Sequence, residues 1–534
     1  MALFYNIYII ERRISLRDKN ESIYNLLKKH HSQKYILIKD SLLVGLIVGI
    51  TIVVYRFVAS ELGELFISLY SMAKYNIVFI PLIFLILIIL GYIVAQQVKK
   101  EPMISGSGIP QVEGILTRRL KMNWFRILYN KFIGGLICLG VGLSVGREGP
   151  SVQMGACIGE GVSDSFKKLE NEEKYLITSG ASAGLSAAFN APLSGVMFAL
   201  EEAHKNFSPL VLLSAMIASL TADFVSKQFF GIIPSLRFEG MISLPLRYYW
   251  TLIILGVIVG VSGVFFNKGI LKTQSMFKES KLSTEIKIII PFIVTGIIGI
   301  TAPILLGGGH SLIISLQESN LTLVALITFI IIKFLFTFVS FGSGVPGGIF
   351  FPLLALGALV GNVVGLIAVI YLGVPPIYIV NFIVLAMAGH FAAIVKAPIT
   401  AIILISEMTG SLEHLLSLSL VVLVAQLTSD VLKSHPIYES LLDRILSKGT
   451  HKYIGSSKKT LLEAVVHMDS EIEGKRIKDI AWPSNCLVVA ITRGYVEILP
   501  NGSTEILAGD YITFMTDQSD SSEVLEKVTK LSQR

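Results

Sequence analysis

Gly146-Arg147-Glu148-Gly149-Pro150 is the stretch on which the reading of this chain turns. Two glycines and a proline bracket one glutamate, and a run of small residues follows from Ser151 to Gly161. Proline in a first turn with glycine before it suits a helix start. The free N–H groups and the positive end of the helix dipole then face whatever lies ahead, which makes a natural anion site. Similar punctuation occurs at Ser105 to Pro110, where Ser107 stands between two glycines, and at Gly342 to Phe351, with Pro346 inside and Pro352 after it. Helix starts offer partial charges rather than a full cation. That suits an anion that must bind and still leave.

The rest of the chain places these loops in a bilayer. Of 534 residues, 53% are hydrophobic and only 16% charged, with mean hydropathy +0.69. Soluble domains carry about 25% charged residues. The apolar residues gather in Ile77 to Ala95, Trp250 to Phe266, Ile288 to Leu306 and Leu321 to Phe341. Each is about 17–21 residues long, roughly what a ~30 Å hydrocarbon core requires. A transmembrane barrel would show alternating strands of ~10 residues instead. The chain reads as an all-α polytopic membrane protein. Its +7 net charge does not make it a nucleic-acid binder. Its three scattered cysteines, Cys138, Cys157 and Cys486, form neither a disulfide framework nor a metal pair.

Non-helical backbone at membrane depth is tolerated only when buried in protein or lining a polar cavity, and broken helices mark transporter binding sites. Ordinary surface turns are the alternative at any one site. An internal repeat favours the first reading. Pro150, Gly155 and Gly159 recur as Pro352, Gly357 and Gly361, and Ala191, Pro192, Ser194 and Glu201 recur as Ala397, Pro398, Thr400 and Glu407. Both blocks are offset by a little over 200 residues, so the membrane region reads as two homologous halves.

Intramembrane acids are expensive and usually functional. At a cluster of N–H donors the Glu148 carboxylate can take the anion's place, and protonation would release it. That competition couples an anion to a proton; a surface capping role is the alternative. Glu201 and Glu202 follow the apolar run Val196 to Leu200. One of them suits a water-side proton acceptor, unless both merely solvate a helix end. Tyr438, after the last apolar run, reads by itself as an interface-belt tyrosine. His310, after three glycines, reads as a loop residue rather than a ligand.

Gly106-Ser107-Gly108-Ile109-Pro110, Gly146-Arg147-Glu148-Gly149-Pro150 and Gly348-Ile349-Phe350-Phe351-Pro352 resemble, in order, the three signature motifs of the CLC chloride channel and transporter family. The resemblance covers about residues 40 to 446. It implies a fold of two inverted repeats with about 18 helices, and a homodimer with one anion pathway per subunit. It implies that Ser107 and Tyr438 donate hydroxyls to a central chloride, joined by the backbone of Ile349 and Phe350. The backbone of Arg147, Glu148 and Gly149 would line an outer site. Glu148 would be the external gating glutamate and Glu202 the internal proton-transfer glutamate of the exchangers. Serine at 107 goes with chloride in the family. Phe351 departs from the small residue often found there and would reshape the inner vestibule. Lys396 stands where arginine is commoner.

The expected organisation is a cytoplasmic segment over 1–40, a transmembrane domain over 41–446 with halves at about 41–235 and 246–446, a linker over 447–455 and a small cytoplasmic α+β domain over 456–534. The basic residues between Arg12 and Lys39 hold the N-terminus inside. In the tail, short β-rich runs at Cys486 to Ile491, Val496 to Leu499 and Tyr511 to Met515 are separated by turn chemistry, and Ser522 to Leu531 reads as an amphipathic helix. The stretch Leu487 to Gly494, with Pro500 and Gly509-Asp510, resembles the RCK-C (TrkA-C) domain. Some members of that family bind a cyclic dinucleotide at a dimer interface. Ile491, Arg493, Ile498 and Pro500 are the candidate effector residues; dimerisation without a ligand is the alternative.

The function expected is chloride/proton antiport with possible regulation through the tail. The alternatives are a gated chloride channel and a membrane-bound ligand sensor. The chain has no Walker A run, HExxH or nucleophile elbow, so no enzyme and no metal or redox cofactor is expected. The expected partners are a second copy, the lipid bilayer and a small effector, with no nucleic acid. The expected location is a bacterial plasma membrane.

Overall fold

The computed structural model describes residues 2–447 and 459–533, apart from 206–207, 233, 237, 239–240, 319–320, 495 and 518–520, and side chains from residue 34 onward with few exceptions. The chain divides into two compact units, Met1–Ser447 and Lys448–Arg534.

Among the described residues, the first unit is built from seventeen α-helices. Eight helices are long and apolar enough to cross a membrane, among them Phe79–Lys100, Thr284–Thr301, Leu323–Gly342 and Phe350–Leu372. Side-chain caps start several of them. Asn123 accepts from Arg126 N at 3.2 Å, and Thr322 accepts from Ala325 N at 3.3 Å. The run Ile288 to Leu306 is not one helix: Thr284–Thr301 ends at Ala302, and Pro303–Leu305 is a separate 3-10 turn. Hydropathy continues through a proline that the backbone does not.

Both halves pack their central helices backbone to backbone. A Cβ on Gly155 would strike Gly180 O, and one on Gly180 would strike Gly155 O, where helix Glu148–Ser165 crosses Glu170–Phe189. In the second half Gly361 faces Phe382 O and Gly357 faces Ala386 O, where Phe350–Leu372 crosses Ile379–Val395. Small residues at this spacing allow the approach.

Two further pairs of contacts repeat between the halves. Fully buried Lys131 donates from Nζ to Ile104 O at 2.8 Å and Gly106 O at 2.6 Å. Fully buried Lys333 donates to Leu305 O at 2.9 Å and Gly307 O at 2.6 Å. Each lysine fixes a loop that enters a short helix, Ile109–Leu116 or His310–Glu318. The loops share left-handed glycines, Gly106 and Gly108 at φ 68° and 95°, Gly307 and Gly309 at 63° and 104°. His310 is thus the first residue of a helix and not a loop residue, a start that three consecutive glycines conceal.

The acids of the Ala-Pro blocks cross over. Glu201 accepts from Ile399 N at 3.3 Å, Thr400 N at 2.8 Å and Thr400 Oγ1 at 2.7 Å. Glu407 accepts from Leu193 N at 3.1 Å, Ser194 N at 2.7 Å and Ser194 Oγ at 2.5 Å. Each half therefore caps a helix of the other, Pro398–Thr409 or Pro192–Phe198. Such reciprocity requires a two-fold relation between the halves.

In the second unit, β1 (Lys459–Val465), β2 (Leu487–Arg493), β3 (Val496–Ile498) and β4 (Tyr511–Asp517) form one sheet in the order β1-β4-β2-β3, every pair antiparallel. Helix Ser521–Ser532 seats Val524 and Val528 against Ala464 and Phe514. The pattern of turns does not reveal β1, whose charged Lys459 and Glu463 break its apolar run. Arg493 and Asp510 make a bidentate pair: Nε donates to Oδ1 and Nη2 to Oδ2, both at 2.8 Å, and Nη2 also donates to Glu505 O at 2.8 Å. Burial of Asp510 works against its charge. The Arg493 hydrogen bonds and the Leu507 N–H outweigh it and hold the carboxyl below the usual aspartate range.

Two outcomes follow from these anchors. Lys131→Met and Lys333→Met should each lower the melting temperature in detergent, at about 1.5–3 kcal/mol per lost charged hydrogen bond; unchanged melting in either variant would mean its loop is held by other contacts. In the tail, a depressed Asp510 stabilises the fold at neutral pH, and that stability is lost as pH falls through the ordinary aspartate range toward the lower folded value. Protection of the β2 and β4 amides of the full chain, with the exchange rate corrected for the intrinsic pH dependence of amide exchange, should fall on acidification, and Arg493→Gln should flatten that fall.

Candidate functional site

The three glycine-proline loops meet. Gly106 N donates to Val345 O at 3.1 Å and Gly347 N to Gly106 O at 3.0 Å; Gly146 N donates to Gly348 O at 2.7 Å and Gly348 N to Gly146 O at 2.8 Å. These isolated bridges draw together the starts of helices Ile109–Leu116, Glu148–Ser165 and Phe350–Leu372. The approach leaves no room for side chains: a Cβ on Gly149 would lie 2.7 Å from both Ser107 O and Ser107 Oγ, and 3.2 Å from Gly348 Cα. Among the described residues, the amides of Arg147, Gly149, Ile349 and Phe350 have no backbone acceptor, and the amide of Glu148 faces its own carboxylate. Ser107 Oγ accepts from Ile109 N at 3.3 Å, which leaves its own proton to donate.

Tyr438 is fully buried and its hydroxyl has no partner among the described residues, so it is not an interface-belt residue. Hydropathy missed this because helix Ile437–Leu446 packs against Ile109–Leu116. The Tyr438 ring meets Phe198 edge-on at 6.4 Å, and Phe198 in turn meets Phe350 at 5.9 Å. A buried hydroxyl donor of this kind needs an acceptor.

Glu148 is fully buried; its own N–H and that of Phe351 face its carboxylate, but among the described residues neither oxygen is met at full hydrogen-bond geometry. Arg147 Nε lies 3.9 Å from its Oε1. The carboxylate folds back over Gly146, where a Cβ would collide with Oε2 and would lie 3.2 Å from Phe351 N. It therefore sits at the start of the second half's helix. A cavity of about 580 Å³ opens on this side, lined by Arg56, Arg147, Glu148, Phe230, His310 and Phe351 among others. Phe351 thus faces the Glu148 side and not an inner vestibule, because neighbouring helix residues diverge by about 100° and Phe350 takes the direction toward Phe198.

Glu202 is 4% exposed, and its Oε1 has no partner among the described residues. It lies in a π-helical turn, Ala199–Ala203, a distortion frequent at functional sites. The turn lets Glu201 reach outward to its cap while Glu202 stays inside. In the second half Glu407 and Met408 sit in the continuous α-helix Pro398–Thr409, with no such turn. Nearby, Lys205 Nζ bonds Glu113 Oε1 at 2.7 Å and Glu439 Oε1 at 2.5 Å. The Lys205 cluster comes from three distant segments and gives no sequence signal. Arg56, Lys131 and Lys333 do give one, since each is a lone base within an apolar run. No metal-holding group of three His, Cys, Asp or Glu occurs among the described residues.

In the tail, Ile491 is fully buried and pairs with Ile498 across β2 and β3. Arg493 is engaged by Asp510 and Glu505. Pro500 follows β3.

Comparison with known proteins agrees with this arrangement. Residues 90–430 match the family described as voltage gated chloride channel, and residues 461–529 match the TrkA-C domain. The H(+)/Cl(-) exchange transporter ClcA of Salmonella typhimurium is 33% identical over 453 residues, 83% of this chain and 95% of that protein. Among solved structures, a slow cyanobacterial Cl-/H+ antiporter superposes with TM-score 0.74 at 31% identity, covering 78% of this chain and 99% of that one. A CLC-type fluoride/proton antiporter superposes with TM-score 0.62 at 25% identity, covering 76% and 97%. The chain belongs to the CLC family of chloride channels and transporters, and carries a C-terminal TrkA-C domain.

Proposed function

We propose that the membrane unit exchanges chloride for protons. One observation carries this reading: an unpaired, buried Glu148 carboxylate lies at the start of another helix, among amides that an anion would occupy. Chloride and the carboxylate compete for those donors. Ser107, Tyr438 and the amides of Ile349 and Phe350 hold the central anion; the amides of Arg147, Glu148 and Gly149 serve the outer position. Protonation of Glu148 removes its charge and lets it swing away. Glu202, buried beyond Phe198 and Tyr438, passes the proton from the opposite side, with Lys205, Glu113 and Glu439 setting the local charge. The antiport activities named for the relatives support the same reading.

The finer assignments belong to this proposal as well. The working unit is a homodimer in a bacterial plasma membrane with both termini cytoplasmic, and the tail binds a small effector such as a cyclic dinucleotide at its dimer interface. The domain limits are 41–446 for transport and 456–534 for regulation.

In liposomes, a chloride gradient should drive protons uphill. Glu148→Ala should abolish proton movement and leave chloride flux. Glu202→Gln should likewise reduce proton flux to the level of empty vesicles while chloride still moves. Fast anion flux without proton movement in the natural protein would establish a channel instead. Ser107→Pro should raise nitrate flux relative to chloride; an unchanged ratio would remove Ser107 from ion choice.

A further inference from the structure

We propose that the cavity on the Glu148 side holds a second anion station, centred on Arg56 and the start of helix His310–Glu318. It is separate from the position served by the Arg147–Gly149 amides, and it deepens the reading of this chain as an anion transporter.

Arg56 is the first observation. It is 7% exposed and lines the cavity. Its guanidinium is held rigidly, with Nη1 donating to Ala187 O at 2.5 Å, Asn190 Oδ1 at 2.8 Å and Ser226 Oγ at 2.8 Å. Its plane lies over the Phe230 ring at 3.9 Å. Among the described residues, Nε and Nη2 have no hydrogen-bond partner. Nη1 alone fixes the side chain, so the rest of the fork remains to be satisfied. Nε, buried without an acceptor, is costly to leave in this state.

The helix start is the second observation. Gly307 N donates to Gly142 O at 2.8 Å, whereas the amides of Gly308, Gly309 and His310 have no acceptor among the described residues. This loop repeats the backbone geometry of the Ser107 loop, with the same pair of left-handed glycines and a buried lysine behind it. Gly308 takes the place of Ser107, and a Cβ there would lie 2.9 Å from Phe351 Cβ. Ser107 serves the junction of the loops; Gly308 lines the cavity, together with Gly307 and His310. His310 Nε2 donates to Ser235 O at 2.9 Å, which fixes the imidazole beside Phe351 at 5.7 Å.

The charges favour an anion. Two guanidinium groups and a helix start oppose one carboxylate, Glu148, within walls that include Leu139, Val145, Phe230 and Phe351. Apolar walls focus such a field. About 580 Å³ accommodates a halide with several waters, each needing about 30 Å³. The ligand class is a small, hydrated, monovalent anion. A halide held there waits beside Glu148 and enters the junction when the carboxylate leaves.

The test is chloride transport by the full protein in oriented liposomes, with chloride varied on the Glu148 side. Arg56→Gln should raise the chloride KM by about tenfold, with the maximal rate and the proton-to-chloride ratio unchanged. Arg56→Lys should recover part of the loss. Equal KM values for all three proteins would overturn the proposal. If Arg56→Gln does not fold, crystals of the natural protein grown in bromide decide: an anomalous peak between Arg56 and the Gly308–His310 amides supports the station, and peaks confined to the Ser107–Tyr438 junction refute it. A bromide peak in a protein that moves no protons would keep the station and reject antiport.

Discussion

Everything in the membrane unit depends on bringing three peptide backbones into contact. Helix dipoles lose force within a turn of the helix end, so three starts can share one position only if nothing but hydrogen separates them. Gly106, Gly146, Gly149 and Gly348 meet that condition, and the bonds of Gly106 with Val345 and Gly347 and of Gly146 with Gly348 hold the loops against their own partial charges. The long helices, the glycine crossings and the buried lysines are all means of keeping those loops in place. Lys131 and Lys333 take up carbonyls that a broken helix leaves unsatisfied, which is how an irregular backbone survives at membrane depth.

Competition between a carboxylate and a halide requires the carboxylate to be otherwise unrewarded. Glu148 has no close hydrogen bond, and its basic neighbour stands 3.9 Å away. A tighter ion pair would trap the acid; an exposed one would be solvated and indifferent. On the other face, Glu202 is kept off the cap that Glu201 makes by one extra residue in the turn. The same block in the second half lacks both the turn and the second acid, so the two halves share a scaffold and differ in chemistry.

The site was legible in the sequence wherever glycine and proline wrote the backbone. The three loops, the repeat and the strands β2 to β4 all carry such punctuation. Residues whose meaning comes from a distant partner were not legible. His310 looked like a loop residue because three glycines hide a helix start. Phe351 was placed on the wrong side because spacing gives no direction across a junction. Without the family resemblance, which already grouped it with Ser107, Tyr438 looked peripheral, because Phe198 and helix Ile109–Leu116 lie some 240 to 330 residues earlier. Strand β1 lacks turns and alternation, and its register with β4 supplies what its own sequence does not.

The crossed caps carry a consequence for how the molecule is made. While the ribosome has delivered only the first half, Glu201 has no helix to receive it and the start of Pro192–Phe198 has no acid. Neither end can be satisfied by lipid. Until residues 398–407 are made, both ends depend on water, which the partly exposed caps can reach. The cap on each half is complete only when the other half is present, so neither repeat holds its full set of hydrogen bonds alone.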